Sequence, residues 1–238
     1  MTKSKIPKHV AIIPDGNRRW AKEHGVSDYE GHRQGYEAVF KITKKARELG
    51  IKTLTFWGFS TENWDRSKSE VRGLMHIFEQ MIDRYLKDAL KNQVRIIHIG
   101  RKDRLGDRLI NKLKDAEKQT EHFTKYYLGA AIDYGGRDEV IRAIKKISNL
   151  KSQKNLKSQI SNLNEENFGQ FLDTKDFPNP DPDLIIRTSG EQRTSGLMIW
   201  QAAHSEYIFV KKYFPDFGGE DLEKCIKEFA RRQRRFGK

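Results

Sequence analysis

Six short runs of apolar, often β-branched residues recur along the chain and predict buried strands. They lie at 10–14, 53–59, 94–100, 127–132, 184–187 and 207–210. Between most of them, apolar positions follow the 3.6-residue period of an amphipathic helix. This period predicts helices at 34–49, 70–90, 104–120, 137–147 and 220–236. Strands that alternate with helices predict one α/β domain, 1–238, with a central, mainly parallel β-sheet flanked by helices.

One segment departs from this alternation. Residues 145–167 are rich in Lys, Asn, Ser and Gln, and they contain the sequence NLKSQ twice, at 149–153 and 155–159. Two copies at so short a spacing do not make a repeat architecture, and a local duplication is simpler. We therefore predict a surface insertion within a single domain.

The composition adds a strong positive charge to this picture. Lys and Arg number 46 and Asp and Glu 33, which gives a net charge of +13. Such an excess attracts nucleic acid, an anionic membrane surface or phosphorylated small molecules, and charge alone leaves all three open, beside a merely solvated lysine-rich surface. The single cysteine, Cys225, excludes an intrachain disulfide and a thiolate zinc site. The N-terminal apolar run is short for a signal peptide, so we expect a cytoplasmic protein.

Candidate chemistry follows the first predicted strand, where a parallel sheet places its ligands. Asp15 stands at the strand end, Gly16 allows a tight turn, and Arg18 and Arg19 follow. A carboxylate among such groups suits a Mg²⁺ ion that bridges to phosphate oxygens. The alternative, Asp15 as a helix cap beside solvated arginines, is equally compatible with the pattern.

Two further polar clusters follow later strands. Residues 60–66, STENWDR, supply hydroxyls, a carboxylate, an amide, an indole and a guanidinium within one turn, although Trp64 taken alone is better explained as a core anchor. Arg187 and Arg193 bracket a glycine-containing loop with Ser189 and Ser195. Guanidinium groups, hydroxyls and loop amides bind phosphate oxygens well. An exposed basic loop is the alternative. Two anion cradles beside one carboxylate suggest two phosphorylated substrates.

The order of these motifs resembles one family, the cis-prenyltransferases, typified by undecaprenyl diphosphate synthase. The matching segments are HVAIIPDGNRRWAK, GHRQG, FSTENWDR, IDYGGRDE, DPDLIIRTSGEQRTS and SEYIF…YFPDF. They occur in family order from residue 9 to residue 217, which is almost the whole chain.

This resemblance implies a Mg²⁺-dependent homodimer with a hydrophobic tunnel. The implied reaction condenses isopentenyl diphosphate with an allylic diphosphate, farnesyl or geranylgeranyl diphosphate, to form a cis-polyprenyl diphosphate and release diphosphate. Asp15 and Asn63 match catalytic residues, and Asp15 and Glu206 match acidic residues at the metal. The positions that match substrate-binding residues are Gly16, Asn17, Arg18, Arg19, Trp20, His32, Ser60, Thr61, Glu62, Trp64, Arg66, Arg187, Arg193, Thr194 and Ser195.

The chain also departs from the family pattern. Asp28 stands four positions before His32, where most members carry an arginine that touches diphosphate. Arg18 stands where many bacterial members have glycine, and it is a candidate to compensate. The apolar faces of helices 34–49 and 70–90, with the sheet, are the predicted walls of the tunnel.

Two other functions compete with the enzyme. A nucleic-acid binder would explain the charge, but the basic residues do not form an aromatic-interleaved platform, so we expect no nucleic-acid partner. A non-catalytic partner subunit of a prenyltransferase would explain Asp28, although the retained Asp15 and Asn63 oppose it. The basic surface and an apolar product predict transient contact with the inner face of a membrane.

Overall fold

The computed structural model describes residues 6–149 and 163–232, and six parallel strands form its single sheet. Along the sheet the order is β3-β4-β2-β1-β5-β6, and every neighbouring pair is parallel. The predicted α/β class is thus confirmed, and the sheet is parallel throughout the described residues. The strands are β1 (His9–Ile13), β2 (Thr53–Ser60), β3 (Val94–Ile99), β4 (Tyr126–Tyr134), β5 (Leu184–Arg187) and β6 (Glu206–Phe209).

Helices cover both faces of this sheet. They are α1 (Asn17–Glu23), α2 (Asp28–Leu49), α3 (Lys68–Asn92), α4 (Asp107–Thr120), α5 (Gly136–Asn149), the one-turn α6 (Glu165–Phe168) and α7 (Gly219–Arg231). Short 3₁₀ helices occur at Thr61–Asp65, Gly169–Phe171, Gln201–His204 and Phe214–Asp216. In the described residues no helix has both the length and the apolar character that crossing a bilayer requires.

Alternate residues of the central strand enter two different cores, as the pleat of a strand requires. Val10 and Ile12 pack with α2 and α7, whereas Ala11 and Ile13 pack with the segment 197–202. A third cluster lies between α3, α4 and the ends of β2 and β4. Both faces of the sheet are therefore buried, which explains why its strands read as continuous apolar runs.

Helix α2 begins six residues before the predicted start at residue 34. Ser27 caps it by accepting a hydrogen bond from the Glu30 amide at 3.2 Å. The first turns of α2 were not predicted because Gly31 and Gly35 lie there and glycine is a poor helix former. Their function is close packing: a Cβ at Gly31 would lie 2.4 Å from the Asn17 carbonyl oxygen. Helices α1 and α2 therefore meet at backbone distance.

The other predicted boundaries differ mainly near the C-terminus and the insertion. Helix α7 ends at Arg231 rather than at 236, because Arg232 is extended and donates to the Tyr207 carbonyl at 2.9 Å. Helix α5 continues through Asn149 and so overlaps the start of the predicted insertion. Residues 150–162 of that insertion and 233–236 of the predicted helix lie outside the described residues.

Candidate active site

A cavity of about 1020 Å³ opens where β1, β2 and β5 end. Residues from all three predicted clusters line it at the carboxyl end of the strands, where a parallel sheet binds its ligands. Thirteen of the eighteen predicted site residues line it: Asp15, Gly16, Asn17, Arg18, Arg19, His32, Ser60, Glu62, Asn63, Arg66, Arg187, Arg193 and Ser195.

Asp15 is held between two arginines. Its Oδ2 accepts from Arg187 Nη2 at 2.8 Å, and its Oδ1 accepts from Arg19 Nη2 at 3.1 Å. The helix-cap alternative is wrong, because α1 is preceded by Gly16, which has φ 101°, and has no side-chain cap bond. Burial alone would raise the pKa of Asp15, but the hydrogen bond and charge of Arg187, and then those of Arg19, lower it below its usual value. The carboxylate is therefore ionised at neutral pH.

Arg187 organises the loop that follows β5. The residue is only 5% exposed, and its Nη1 donates to the Arg193 carbonyl at 2.6 Å and to Ser195 Oγ at 2.7 Å. The alternative of an exposed basic loop is thus wrong for Arg187, while the exposed Arg193 side chain pairs with Glu191. The buried Nε of Arg187 has no hydrogen-bond partner among the described residues. A buried donor without a protein partner is free to bind water or a ligand.

The loop 189–198 has an unusual backbone. Ser189, Ser195 and Met198 have φ values of 74°, 51° and 48°, in the left-handed region that residues with a side chain seldom adopt. Such conformations persist where surrounding contacts enforce them, and they cluster at functional sites. One enforcing contact is the bond from the Gly136 amide to the Gly196 carbonyl at 3.0 Å.

His32 faces the cavity beside Glu70, which was not among the predicted site residues. Glu70 accepts from Arg66 at 2.8 Å and lies 3.7 Å from Arg18, so it aligns two cations at the cavity wall. Burial, and then the charges of Arg66 and Arg18, lower the pKa of His32 to about 4. His32 is therefore neutral at pH 7, and its 4.0 Å approach to Glu70 is not an ion pair. Its buried Nε2 has no hydrogen-bond partner among the described residues.

Asn63 is oriented by the backbone. Its Oδ1 accepts a hydrogen bond from the Ser60 amide at 3.0 Å. Because an amide N–H can only donate, this bond fixes which end of the Asn63 side chain is the oxygen. The end left for the cavity is the NH₂ group, a hydrogen-bond donor.

Four predicted site residues lie near the cavity without lining it. Trp20 Nε1 donates to Asp216 Oδ1 at 2.9 Å, outside the cavity. Trp64 packs edge-on against Phe59 and donates to the buried Asp133 at 2.9 Å, so it is the core anchor that the sequence left open. The other two, which neighbour lining residues, are Thr61 and Thr194.

Glu206, the predicted second metal residue, lies at the amino end of the strands, opposite the end that carries the cavity. It pairs in register with Leu184, which pairs with Val10, at the amino ends of β5 and β1. Asp15 lies beyond the carboxyl end of β1, and the strand from Val10 to Ile13 alone spans about 10 Å at 3.3 Å per residue. Glu206 instead accepts from Arg232 at 2.8 Å. Within one chain, the two predicted metal residues do not meet.

An apolar cavity of about 90 Å³ adjoins the polar one, between α2, α3 and the sheet. The two share four lining residues, Tyr36, Val39, Phe56 and Gly58. This is the place where the sequence predicted the tunnel. Asp28, which replaces the expected arginine, lines the polar cavity together with Arg18.

Comparison with known proteins identifies this arrangement. The family model described as "Putative undecaprenyl diphosphate synthase" matches residues 13–237. The chain belongs to the undecaprenyl diphosphate synthase family. Among relatives in this family, the isoprenyl transferase of Thermotoga maritima is 46% identical over 233 residues, covering 98% of this chain and 97% of the relative.

Two further comparisons, one with a relative and one with a solved structure, agree. The ditrans,polycis-undecaprenyl-diphosphate synthase ((2E,6E)-farnesyl-diphosphate specific) of Micrococcus luteus is 41% identical, covering 98% of this chain and 92% of the relative. The crystal structure of lavandulyl diphosphate synthase from Lavandula x intermedia, in complex with dimethylallyl diphosphate, has a TM-score of 0.93 and 37% identity, covering 99% of this chain and 100% of that one. The chain is thus an isoprenyl transferase, as the order of its motifs indicated.

Proposed function

We propose that the protein condenses isopentenyl diphosphate with an allylic diphosphate and builds a cis-polyprenyl diphosphate, with Mg²⁺ at Asp15. The observation that supports this most directly is the 2.8 Å contact between Asp15 and Arg187 in a polar cavity that adjoins an apolar one. A diphosphate binds to cations and hydrogen-bond donors, whereas a prenyl tail binds to an apolar surface that excludes water. Both surfaces meet at Tyr36 and Phe56.

The allylic diphosphate would bind near Gly16 and Arg19, where the buried Nε2 of the neutral His32 lacks a partner among the described residues. Positive charge and N–H groups fixed there stabilise the charge that develops on the leaving diphosphate, and removing one such donor typically costs ~10²–10³ in rate. Isopentenyl diphosphate would bind Arg187 and Arg193, which places its double bond beside the developing cation. Positioning of this kind supplies much of the remaining acceleration.

Asn63 then acts as a donor rather than as a base. Its oxygen is already bonded to the Ser60 amide, and an amide is barely basic. We propose that its NH₂ group holds a diphosphate oxygen, and that the proton lost from the new carbon–carbon bond passes to a diphosphate oxygen. This keeps Asn63 in contact with substrate while removing it as the proton acceptor.

Asp15 fits a Mg²⁺ ion that arrives with its substrate. No three acidic or histidine side chains of the described residues cluster into a site that could hold a metal alone. Mg²⁺ accepts one carboxylate plus phosphate oxygens, and Asp15 offers that carboxylate. When bound, the ion would neutralise charge on the diphosphate oxygens. We expect calorimetry to show weak Mg²⁺ binding until a non-reactive diphosphate is present, and Asp15→Asn to remove this synergy.

The reaction is tested by incubating the protein with labelled isopentenyl diphosphate, farnesyl or geranylgeranyl diphosphate, and Mg²⁺. We expect labelled product in the organic extract, lost in Asp15→Asn and retained in Asp115→Asn, which changes an exposed carboxylate on α4. Folded wild-type protein that makes no product with any primer would support the non-catalytic partner subunit instead.

We also propose a homodimer in which Glu206 acts across the interface. Glu206 lies on the edge strand β6, whose Phe209 is exposed, and a second apolar patch is formed by Ile199 and Trp200. A second copy is the simplest way to bring Glu206 to a metal at Asp15. Equal amounts of Asp15→Asn and Glu206→Gln, mixed and allowed to exchange subunits, should then regain activity. If the mixture stays inactive although dimers exchange, Glu206 does not act in trans.

Contact with membranes belongs to the same proposal. The net charge of +13 favours an anionic surface, and the product has a long apolar tail. We propose a cytoplasmic enzyme that visits the inner face of the membrane, with no nucleic-acid partner. Co-sedimentation with anionic but not with neutral vesicles, weakened by salt, is the expected result.

A further inference from the structure

One short turn of the chain contacts two of the segments that carry predicted site residues. Residues 133–136 join β4 to α5 at the carboxyl end of the strands. On one side this turn contacts the 3₁₀ helix Thr61–Asp65, which carries Asn63, and on the other side it contacts the loop 189–198, which carries Ser195. The turn itself does not line the polar cavity. Any effect of the turn on the reaction must therefore pass through these two segments.

The first contact is made by the side chain of Asp133. Its Oδ1 accepts a hydrogen bond from Trp64 Nε1 at 2.9 Å, and its Oδ2 accepts one from Arg104 Nε at 2.9 Å. The Asp133 side chain is fully buried, so its charge is balanced by these partners rather than by solvent. Because Trp64 follows Asn63 directly in the sequence, the bond from Trp64 fixes where Asn63 lies relative to β4.

The two glycines of the turn bring the neighbouring segments very close. A Cβ on Gly135 would lie 2.5 Å from Thr61 Oγ1. A Cβ on Gly136 would lie 2.5 Å from the Gly196 carbonyl oxygen, which accepts a hydrogen bond from the Gly136 amide at 3.0 Å. Neither glycine of the turn has a positive φ, so the backbone conformation would accept alanine at both positions. The absence of side chains is therefore explained by the contacts.

The turn is fixed by bonds to the rest of the domain. The carbonyl of Asp133 accepts from the Arg101 amide at 2.9 Å, and the carbonyl of Tyr134 accepts from Trp57 Nε1 at 3.0 Å. The Tyr134 hydroxyl donates to the buried carboxylate of Glu139 at 2.6 Å. The two neighbouring segments are thus held against one rigid stretch of backbone rather than against separate parts of the protein.

We propose that the turn 133–136 is a positioning element for the reaction, because it fixes the helix that carries Asn63 relative to the loop 189–198. The inference rests on the proposed function and deepens it, since in that function Asn63 contacts a diphosphate and the loop holds isopentenyl diphosphate. Reacting groups must be held in a near-attack arrangement, and a misplacement of about 1 Å can cost ~10²-fold in rate. The turn therefore acts on the rate of condensation more than on the binding of either substrate alone.

Two substitutions in the full-length enzyme disturb the two contacts separately. A Cβ at residue 136 meets backbone atoms, which cannot rotate away, so Gly136→Ala should lower kcat ~10²-fold. Trp64→Phe keeps an aromatic ring but removes the N–H that Asp133 accepts, and it should lower kcat about tenfold. Gly106→Ala is the matched control, because Gly106 also stands at the start of a helix, α4, and has open space around it. Its kcat should equal that of the wild type.

Binding measurements separate misplacement from a general loss of structure. A non-reactive alkyl diphosphate and isopentenyl diphosphate are each titrated alone by calorimetry. We expect each Kd to change by less than about threefold in Gly136→Ala and Trp64→Phe, although kcat falls far more. If affinity for either substrate falls as much as kcat does, the turn supports the site only as part of the fold, and the positioning role is wrong.

Amide hydrogen exchange gives a readout that needs no turnover. Gly136→Ala should speed exchange in the loop 189–198, and Trp64→Phe should speed it in residues 60–66, each about tenfold, while exchange in β1 stays the same. Wild-type protein that makes no product would contradict the proposed function, and exchange would still decide whether the turn holds both segments. Gly135→Ala serves if Gly136→Ala does not fold. Unchanged exchange in both segments, or an unchanged kcat in Gly136→Ala, would overturn the role of the turn.

Discussion

The contact between Asp15 and Arg187 makes a quantitative prediction about stability. Arg187→Met removes the buried guanidinium and leaves Asp15 with Arg19 alone. Removing one partner of a buried ion pair costs ~3–5 kcal/mol, and we expect about 3 because the Asp15 side chain is 26% exposed and keeps one arginine. Asp15→Asn should cost about 2 kcal/mol, because Arg187 still donates to Ser195 and to a carbonyl.

The double variant should be less unstable than the sum of the two. Each single change leaves a charge without its main partner, whereas Asp15→Asn/Arg187→Met leaves neither. We therefore expect a total cost of about 3 kcal/mol instead of about 5, which is a coupling of about 2 kcal/mol between the residues.

Urea unfolding of the four proteins measures this cycle. With a denaturant slope of about 3 kcal/mol per molar, a loss of 3 kcal/mol lowers the midpoint by about 1 M. Slopes must stay equal for the comparison to hold. If the stability losses of the two single variants sum to that of the double variant within about 0.5 kcal/mol, the ion pair does not couple the two residues. The reasoning about this site would then be wrong.

Three other changes test separate parts of the site. The pKa of His32 is lowered from 6.5 to about 4, so between these pH values the unfolded chain binds more protons than the folded one, and stability is lost as pH falls from 6.5 toward 4. In unfolding experiments between pH 7 and 4.5, His32→Asn should reduce this loss of stability by up to about 3 kcal/mol. Parallel plots of stability against pH for wild type and variant would contradict this role of His32. Gly31→Ala should lower stability by about 1–3 kcal/mol, because its Cβ would lie 2.4 Å from a backbone oxygen of α1, whereas Gly169→Ala, with open space around it, should be nearly neutral in the same thermal melts. Asn63→Asp keeps an acceptor for the Ser60 amide but loses the NH₂ donor, so activity should fall ~10²-fold with an unchanged melting temperature; a retained or raised rate would make residue 63 the base.

Much of the fold was predictable because parallel strands buried on both faces are plain apolar runs. Strand β5 coincides with the predicted 184–187, and the others differ by one or two residues. The predicted helix 34–49 began later than α2 does, because glycine normally weakens a helix. Gly31 and Gly35 are there to admit α1, and that contact between distant residues has no local pattern.

The site was predictable where a residue follows its strand directly, and less so where side-chain direction decides. Asp15 and Arg187 meet because both stand at the ends of adjacent strands. Glu70 was not among the predicted site residues, because three residues after Ser67 it has the spacing of a helix-capping pair, whereas its carboxylate accepts from Arg66. Glu206 was placed at the metal by resemblance, and the register of β6, which sequence does not reveal, puts it at the far edge.

The left-handed backbone of Ser189 and Ser195 has a thermodynamic consequence for the loop that carries Arg193. Each such residue costs of order 1–3 kcal/mol, and this cost is met when the chain folds. The serine hydroxyl and carbonyl groups of the loop are therefore already oriented before a substrate binds. Little binding free energy is then needed to order them. In the proposed function, part of the stability of the folded protein is in this way used to hold the loop ready for a diphosphate.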